Sequence, residues 1–287
     1  MMHRQIHLIC ALAALGCALI AGCAHEPPKP PIPARAAAAI DANHRAETYF
    51  RRGDYENAIL HYRDATRIAQ SLEDADAIAA NAINLSIAYQ RLGKSADART
   101  SLAPVLDSGT LAFPPERLAQ AALRRAILDY DERRITSAVE WADKAASYCG
   151  SCPQLAAIHN VRGQLALETG RNDDATASAQ AALAVSRAAD NRAEAANALR
   201  LLGSVAIRAG DGGAARTSLG EALAIDKQLA LPRKIYLDLV GLGRASALAG
   251  ERAEARAYYQ RALAVSEADR DAQGAAEARA LNDTLGK

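Results

Sequence analysis

The chain has 287 residues, and its 34 lysines and arginines stand against 33 aspartates and glutamates, a formal charge of +1 at pH 7. A near-neutral sequence without a long basic tract is a poor match to a phosphate backbone, which argues against a nucleic-acid-binding role. Half of the residues are apolar but only 4% are aromatic, so large contact anchors are scarce and alanine, the best helix former, supplies much of the apolar content.

At the N-terminus His3 and Arg4 precede a mostly apolar run from Leu8 to Ala21. That run is too short to span a bilayer comfortably and has the form of a signal peptide's apolar region. It ends in Ile20-Ala21-Gly22-Cys23, which resembles a bacterial lipobox. The resemblance implies that residues 1–22 are a lipoprotein signal peptide, and that Cys23 becomes the first mature residue and carries acyl chains. Several chains together give stable anchoring where one binds reversibly. Ala24 stands where an aspartate would favour inner-membrane retention, so the expected location is the outer membrane, on its periplasmic face. Loss of Arg4 with the signal leaves 33 basic against 33 acidic residues.

Residues 23–38 read as a linker. Pro27-Pro28-Lys29-Pro30-Pro31-Ile32-Pro33 disfavours helix and prefers extended polyproline II. At about 3.1 Å per residue it would hold the C-terminal bulk of the chain tens of ångströms from a lipid surface.

From residue 39 to 287 one unit recurs six times. A glycine is followed five residues later by alanine, and seven residues after that by another small apolar residue. The copies begin at Gly53 (Ala58, Ala65), Gly93 (Ala98, Val105), Arg133 (Ala138, Ala145), Gly170 (Ala175, Ala182), Gly210 (Ala215, Ala222) and Gly250 (Ala255, Ala262). They are spaced 40, 40, 37, 40 and 40 residues apart. Seven residues ahead of each mark lies another small residue: Ala46, Ser86, Ala126, Gly163, Gly203 and Gly243. A fixed period in this range predicts a solenoid, in which each unit buries its apolar face against its neighbours.

Within each copy the apolar spacing is helical, as in Ile59, Tyr62, Ala65 and Ala69. The glycine falls where a first helix must end in a left-handed turn, and Asp54, Ser95, Thr136, Asn172 and Asp211 are candidate caps of the second helix. Arg133 replaces the turn glycine in the third copy and predicts a turn of different shape there. The extra residues Gln70 to Ala77 and Arg187 to Glu194 read as longer helices meeting at extended turns. Ala275 to Leu285 reads as a further, capping helix.

The unit resembles the tetratricopeptide repeat, most clearly from Ala46 through Gly53, Ala58 and Tyr62 to Ala65, and again from Gly250 through Ala255 and Tyr259 to Ala262. The resemblance implies an all-α, right-handed α-solenoid of about six helix-turn-helix repeats. Its period exceeds the family's usual length of about 34 residues, and the proline that often ends a repeat is absent.

No catalytic constellation stands out. His25, His44, His61 and His159 are scattered without metal-ligand spacing, no nucleophile elbow occurs, and neither an enzyme nor a cofactor or metal is expected. Cys149 and Cys152 match a redox spacing, but in a helical scaffold and an oxidising compartment a structural disulfide is the favoured reading, with free thiols and redox or metal chemistry behind it.

In the tetratricopeptide family the inner faces of the first helices line a groove that takes a peptide or a helix. By register, the resemblance places His44, Glu47, Arg51, Asn84, Arg91, Arg124, Asp131, Asn160, Gln164, Glu168, Arg200, Arg208 and Arg244 in that groove. Six arginines against three acids point to an acidic segment or a C-terminal carboxylate as the ligand, with ordinary solvated arginines as the alternative. The layout resembles lipoproteins that pilot secretins or assist outer-membrane assembly, which implies an anchored, non-enzymatic adaptor for an envelope protein or peptide, monomeric by preference. The competing readings are an adaptor for peptidoglycan enzymes, a periplasmic hydrolase and a structural homo-oligomer.

Overall fold

A computed structural model describes residues 32–107, 109 and 111–286. The apolar leader, Cys23 and the linker as far as Pro31 lie outside the described residues. From Ala34 onward the chain forms one helical unit.

Among the described residues fourteen helices run in order. They are α1 (Ala34–Arg51), α2 (Tyr55–Gln70), α3 (Ala75–Arg91), α4 (Ser95–Thr100), α5 (Ala103–Leu106), α6 (Pro115–Asp131) and α7 (Ile135–Tyr148). The remainder are α8 (Leu155–Glu168), α9 (Asn172–Ala188), α10 (Arg192–Arg208), α11 (Gly212–Gln228), α12 (Pro232–Leu248), α13 (Arg252–Ala268) and α14 (Ala272–Thr284). The first or A helices of the six repeats are α1, α3, α6, α8, α10 and α12. The second or B helices are α2, the broken pair α4 and α5, α7, α9, α11 and α13, and α14 packs on α13 as a final helix. The stack is an α-solenoid. Helix begins at Ala34, inside the stretch assigned to the linker, because Ala34 and Ala36 to Ala39 are strong helix formers that begin directly after the last proline.

The periodic small residues are what the helices close upon. Ala58, Ala65, Ala98, Ala138, Ala145, Ala175, Ala182, Ala215, Ala222, Ala255 and Ala262 are wholly buried, as are Ala46, Ser86 and Ala126. A methyl or a hydrogen at these positions lets neighbouring backbones approach, and the larger side chains between them fill the remaining space.

Each A helix ends in a left-handed residue, with Gly53, Gly93, Gly170, Gly210 and Gly250 at φ between +71° and +79°. Arg133 takes the same conformation at φ +59°, so the third turn keeps the common shape. It closes through the same bonds, Arg133 N to Tyr130 O at 2.9 Å and Arg134 N to Asp129 O at 2.8 Å. A side-chain network holds it: wholly buried Asp129 accepts from Ser137 Oγ at 2.7 Å, from Arg125 and from Arg134. Burial pushes the Asp129 carboxyl up, but Ser137, Arg134 and the charge of Arg125 outweigh it and hold the group below the usual carboxylate range.

The turns from B to A helices are also tight. Glu73, Asp190, Ala230 and Arg270 adopt φ between +50° and +60°, followed by bonds such as Asn191 N to Ser186 O at 2.8 Å. The extra residues of the long period therefore lengthen the helices, and the turns between them are not extended. Two B-to-A connections depart from this pattern. One runs from α5 to α6; the other, between α7 and α8, holds Cys149 and Cys152, which are joined as a disulfide. The second B helix is itself split, because Pro104 has no N–H and its ring would clash with the carbonyl four residues back.

Of the expected caps, Asp54 and Asp211 accept from Asn57 N and Ala214 N. Ser95 and Asn172 lie at the first position of their helices and Thr136 at the second, and none of the three acts as the cap. Asp74, Asn191 and Asp271 cap A-type helices instead.

Candidate interaction surface

Helices α3, α6, α8, α10 and α12 pack side by side and present one continuous face. Guanidinium groups clamp one repeat to the next along the whole stack. Arg117 holds Asp76 through two bonds of 2.7 and 3.0 Å. Arg133 holds Glu168 at 2.6 Å and Arg187 holds Glu221 at 2.7 Å, while Arg99, Arg216 and Arg233 reach Glu132, Glu251 and Asp271.

The same kind of pairing engages most arginines expected in the groove. Arg124 donates to Ser86 Oγ at 3.1 Å, to Ser86 O at 3.3 Å and to Gln90. Burial pushes its pKa down to about 10, Arg91 adding to that shift and Asp131 opposing it. Asp131 accepts from Gln90 Nε2 at 2.6 Å, and burial raises its carboxyl above the usual range. Arg208 donates to Leu167 O and Arg244 to Glu277 at 3.1 Å.

Arg200 is the most enclosed of the set. It donates to Asp238 at 2.7 Å, to Asp226 and to Asn197 Oδ1 at 2.9 Å. Its side chain is 13% exposed, while those of the two aspartates are at most 1% exposed. Lys234 Nζ joins the cluster through Asn197 Oδ1 at 3.1 Å. Burial pushes the Asp238 carboxyl up to about 7, with Arg200 opposing and neighbouring Asp226 reinforcing the shift. Burial and the charge of Arg200 lower the Lys234 pKa.

Of the six arginines Arg51, Arg91 and Arg208 are exposed and without an ion pair among the described residues, Arg208 being tied to a backbone carbonyl. Arg200 and Arg244 are thus paired with carboxylates, and Arg124 and Arg208 are tied to neutral acceptors of adjacent repeats, so most of the arginines read as a cationic groove are engaged within the stack. Asn160 donates to Glu194 at 2.7 Å and Gln164 to Tyr130 at 3.1 Å, so these amides also tie repeats together.

What the A-helix face does offer lies in its first three repeats. Helices α1 and α3 stand apart and leave a cleft of about 400 Å³. A second, of about 320 Å³, lies between α3 and α6. Ala80 and Asn84 belong to both, which joins them into one groove. His44, Glu47, Asn84 and Arg124, expected there, line it; Ile40, Leu72, Asp74, Asn81, Arg117, Gln120 and Gln154 do so as well. The readable signal for the additional residues was polar side chains interrupting the apolar stripe of α3, Asn81 and Asn84 one turn apart. Among the described residues Asn81 Oδ1 and Gln154 Oε1 are buried acceptors without a partner.

A third cavity, of about 390 Å³, lies among α7, α8 and α9, and its charges are already paired as Arg162 with Asp143 at 3.1 Å and Arg171 with Asp174 at 3.3 Å. Among the described residues no group of three or more His, Cys, Asp or Glu could hold a metal, and no helix is long and apolar enough to cross a membrane.

Stacked helix pairs with a lined inner face define an α-solenoid of the repeat type. Residues 36–107 and 160–230 each match the family described as Tetratricopeptide repeat, and the chain belongs to that family. No curated protein matches the sequence. Among solved structures the chain is similar to a Rap protein complexed with competence and sporulation factor, with TM-score 0.62 and 14% identity over 85% of this chain and 69% of that one. It is similar to PilW, described as a widely conserved type IV pilus biogenesis factor, with TM-score 0.60 and 17% identity over 83% and 97% of the two chains. Pseudomonas aeruginosa PilF gives TM-score 0.58 and 15% identity over 86% and 98%. At such identities the likeness is one of fold.

Proposed function

We propose that the protein is a non-enzymatic adaptor that captures an envelope protein or peptide in the groove formed by α1, α3, α6 and the start of α8. The observation that carries this reading is the contrast between that groove and the rest of the A-helix face. Elsewhere the arginines of the A helices chiefly tie adjacent repeats together; here two adjoining clefts combine apolar walls with the buried acceptors Asn81 Oδ1 and Gln154 Oε1, and the two arginines that line them, Arg117 and Arg124, are held by Asp76 and by Ser86 and Gln90. In this reading the lipobox-like Cys23 is acylated, the mature chain is held at the outer membrane facing the periplasm, and the linker gives the groove its reach. The fold shared with PilW and PilF makes pilus or secretin assembly the pathway to test first.

The test is crosslinking in cells followed by mass spectrometry, with Cys23→Ala as the unanchored control. An envelope protein enriched only with the anchored chain is the expected result. Loss of enrichment on filling the groove with Ala80→Trp would place the contact there. Equal enrichment with Cys23→Ala would overturn the anchoring, and no enrichment would overturn the adaptor reading.

A further inference from the structure

The cleft between α1 and α3 has a charge opposite to the one expected from the arginine count. Glu47 and Asp74 line it, and neither is ion-paired among the described residues. Among the described residues Glu47 accepts only from Asn43 Nδ2, at 2.8 Å, and Asp74 uses one oxygen to cap α3. Asn81, 4% exposed, lines the same cleft, and its Oδ1 has no hydrogen-bond partner among the described residues. A buried acceptor left unpaired costs roughly 1–3 kcal/mol, so a ligand that brings a donor recovers free energy there. No arginine lines the cleft. Arg45 pairs with Asp41 and Arg117 with Asp76, Arg35 donates to Ser71 Oγ at 2.8 Å, and Arg51, one turn beyond Glu47, donates to Thr48 Oγ1 at 3.5 Å and makes no ion pair with Glu47. The walls are apolar: Ile40 and Leu72, both more than two-fifths exposed, with Ala36, Ala39 and Ala77.

We propose that this cleft binds the basic side chain of a partner, a lysine or arginine carried by an extended segment. This deepens the adaptor reading and rests on it. The aliphatic stem would lie against Ile40 and Leu72, as long basic side chains do on apolar surface. The cationic head would donate to Glu47, to the free oxygen of Asp74 and to Asn81 Oδ1. Charge complementarity of this kind sets specificity more than raw affinity.

The test uses the full mature chain and a random heptapeptide library, with selected peptides resynthesised and titrated by fluorescence anisotropy. Selected peptides are expected to carry a lysine or arginine whose replacement by norleucine weakens binding about 10-fold, equivalent to about 1.4 kcal/mol. Glu47→Gln should cause the same loss with the basic peptide and none with the norleucine peptide, while Glu56→Gln on α2 changes neither. Circular dichroism checks that the variants remain folded. Selection of acidic or neutral peptides, or binding indifferent to both Glu47→Gln and Asn81→Leu, overturns the basic-side-chain assignment and leaves the adaptor reading standing. Failure of any peptide to bind overturns both.

Discussion

The two halves of the stack solve one packing problem differently. In repeats four to six the small residue of the A helix is glycine, and neighbouring side chains occupy the space of its missing Cβ. A Cβ on Gly163 would lie 2.5 Å from Leu201 Cδ2, one on Gly203 2.5 Å from Leu219 Cγ, and one on Gly243 would clash with the Cε1–Cδ1 edge of the Tyr259 ring. In repeats one to three the same position holds Ala46, Ser86 and Ala126, all wholly buried, and in the first repeat rings pack between the helices, with Tyr49 stacked on His61 and Phe50 edge-on to Tyr55, each pair at 5.2 Å. The third repeat also replaces glycine by arginine at its turn, and the second has a broken B helix. The last two repeats enclose an ion cluster, while the A-helix face of the first three leaves the adjoining clefts that can take a partner. One repeat pattern therefore supports both a buried ion cluster and an open groove, according to the side chains that face each other between neighbouring A helices.

Breaking the ion cluster should have the largest effect on this contrast. Arg200→Ala leaves two buried carboxylates without their cation, and removal of one partner from such a site costs about 3–5 kcal/mol. Thermal unfolding should show the C-terminal half melting well below the wild type. An unchanged melting curve would mean that Arg200 is not the clamp between α10, α11 and α12. Reversing Arg200 to test ligand capture would for the same reason disturb the fold.

Next in size is Gly243→Ala. Its methyl must displace the Tyr259 ring, an overpacking cost of about 1–3 kcal/mol. Hydrogen exchange should rise across α12 and α13 and stay unchanged in α1 to α3, because repeats contact only their neighbours.

A pH dependence arises from Asp238. Its folded carboxyl is pushed up to about 7 by burial, above the ordinary unfolded value of about 3.9. Between these values the folded chain retains a proton that the unfolded chain has released. The stabilisation is full below the unfolded pKa and is lost as pH rises through the folded one. The melting temperature should therefore fall between pH 5 and pH 8 by more in the wild type than in Asp238→Asn. Parallel profiles for the two proteins would sink the assignment.

The smallest effect is expected at the third turn. Arg133→Gly relieves a left-handed side-chain residue, a gain of about 1 kcal/mol, while the exposed pair with Glu168 contributes little. A melting temperature lower than wild type would show that the Glu168 contact matters more than backbone strain.

The sequence by itself determined the repeat number, the helix pairs, the buried small residues and the glycine turns. Each of these arises from local chemistry: periodic apolar spacing, helix propensity and the freedom of glycine at positive φ. Other features depend on partners a full repeat away in sequence, and only the tertiary structure decided those. The B-to-A turns were hidden because Glu73, Asp190, Ala230 and Arg270 carry side chains that do not advertise a left-handed backbone. The arginines of the A helices looked like ligands because sequence order does not reveal that Ser86 meets Arg124 or that Asp226 and Asp238 meet Arg200. His44, Glu47 and Asn84 could be placed on the groove by register. That Asn81 and Asp74 join them, and that the cleft is acidic, depends on how far α1 and α3 stand apart. Charge on a helix face can be counted from residues, but which charges remain for a partner is settled by long-range pairing between neighbouring repeats.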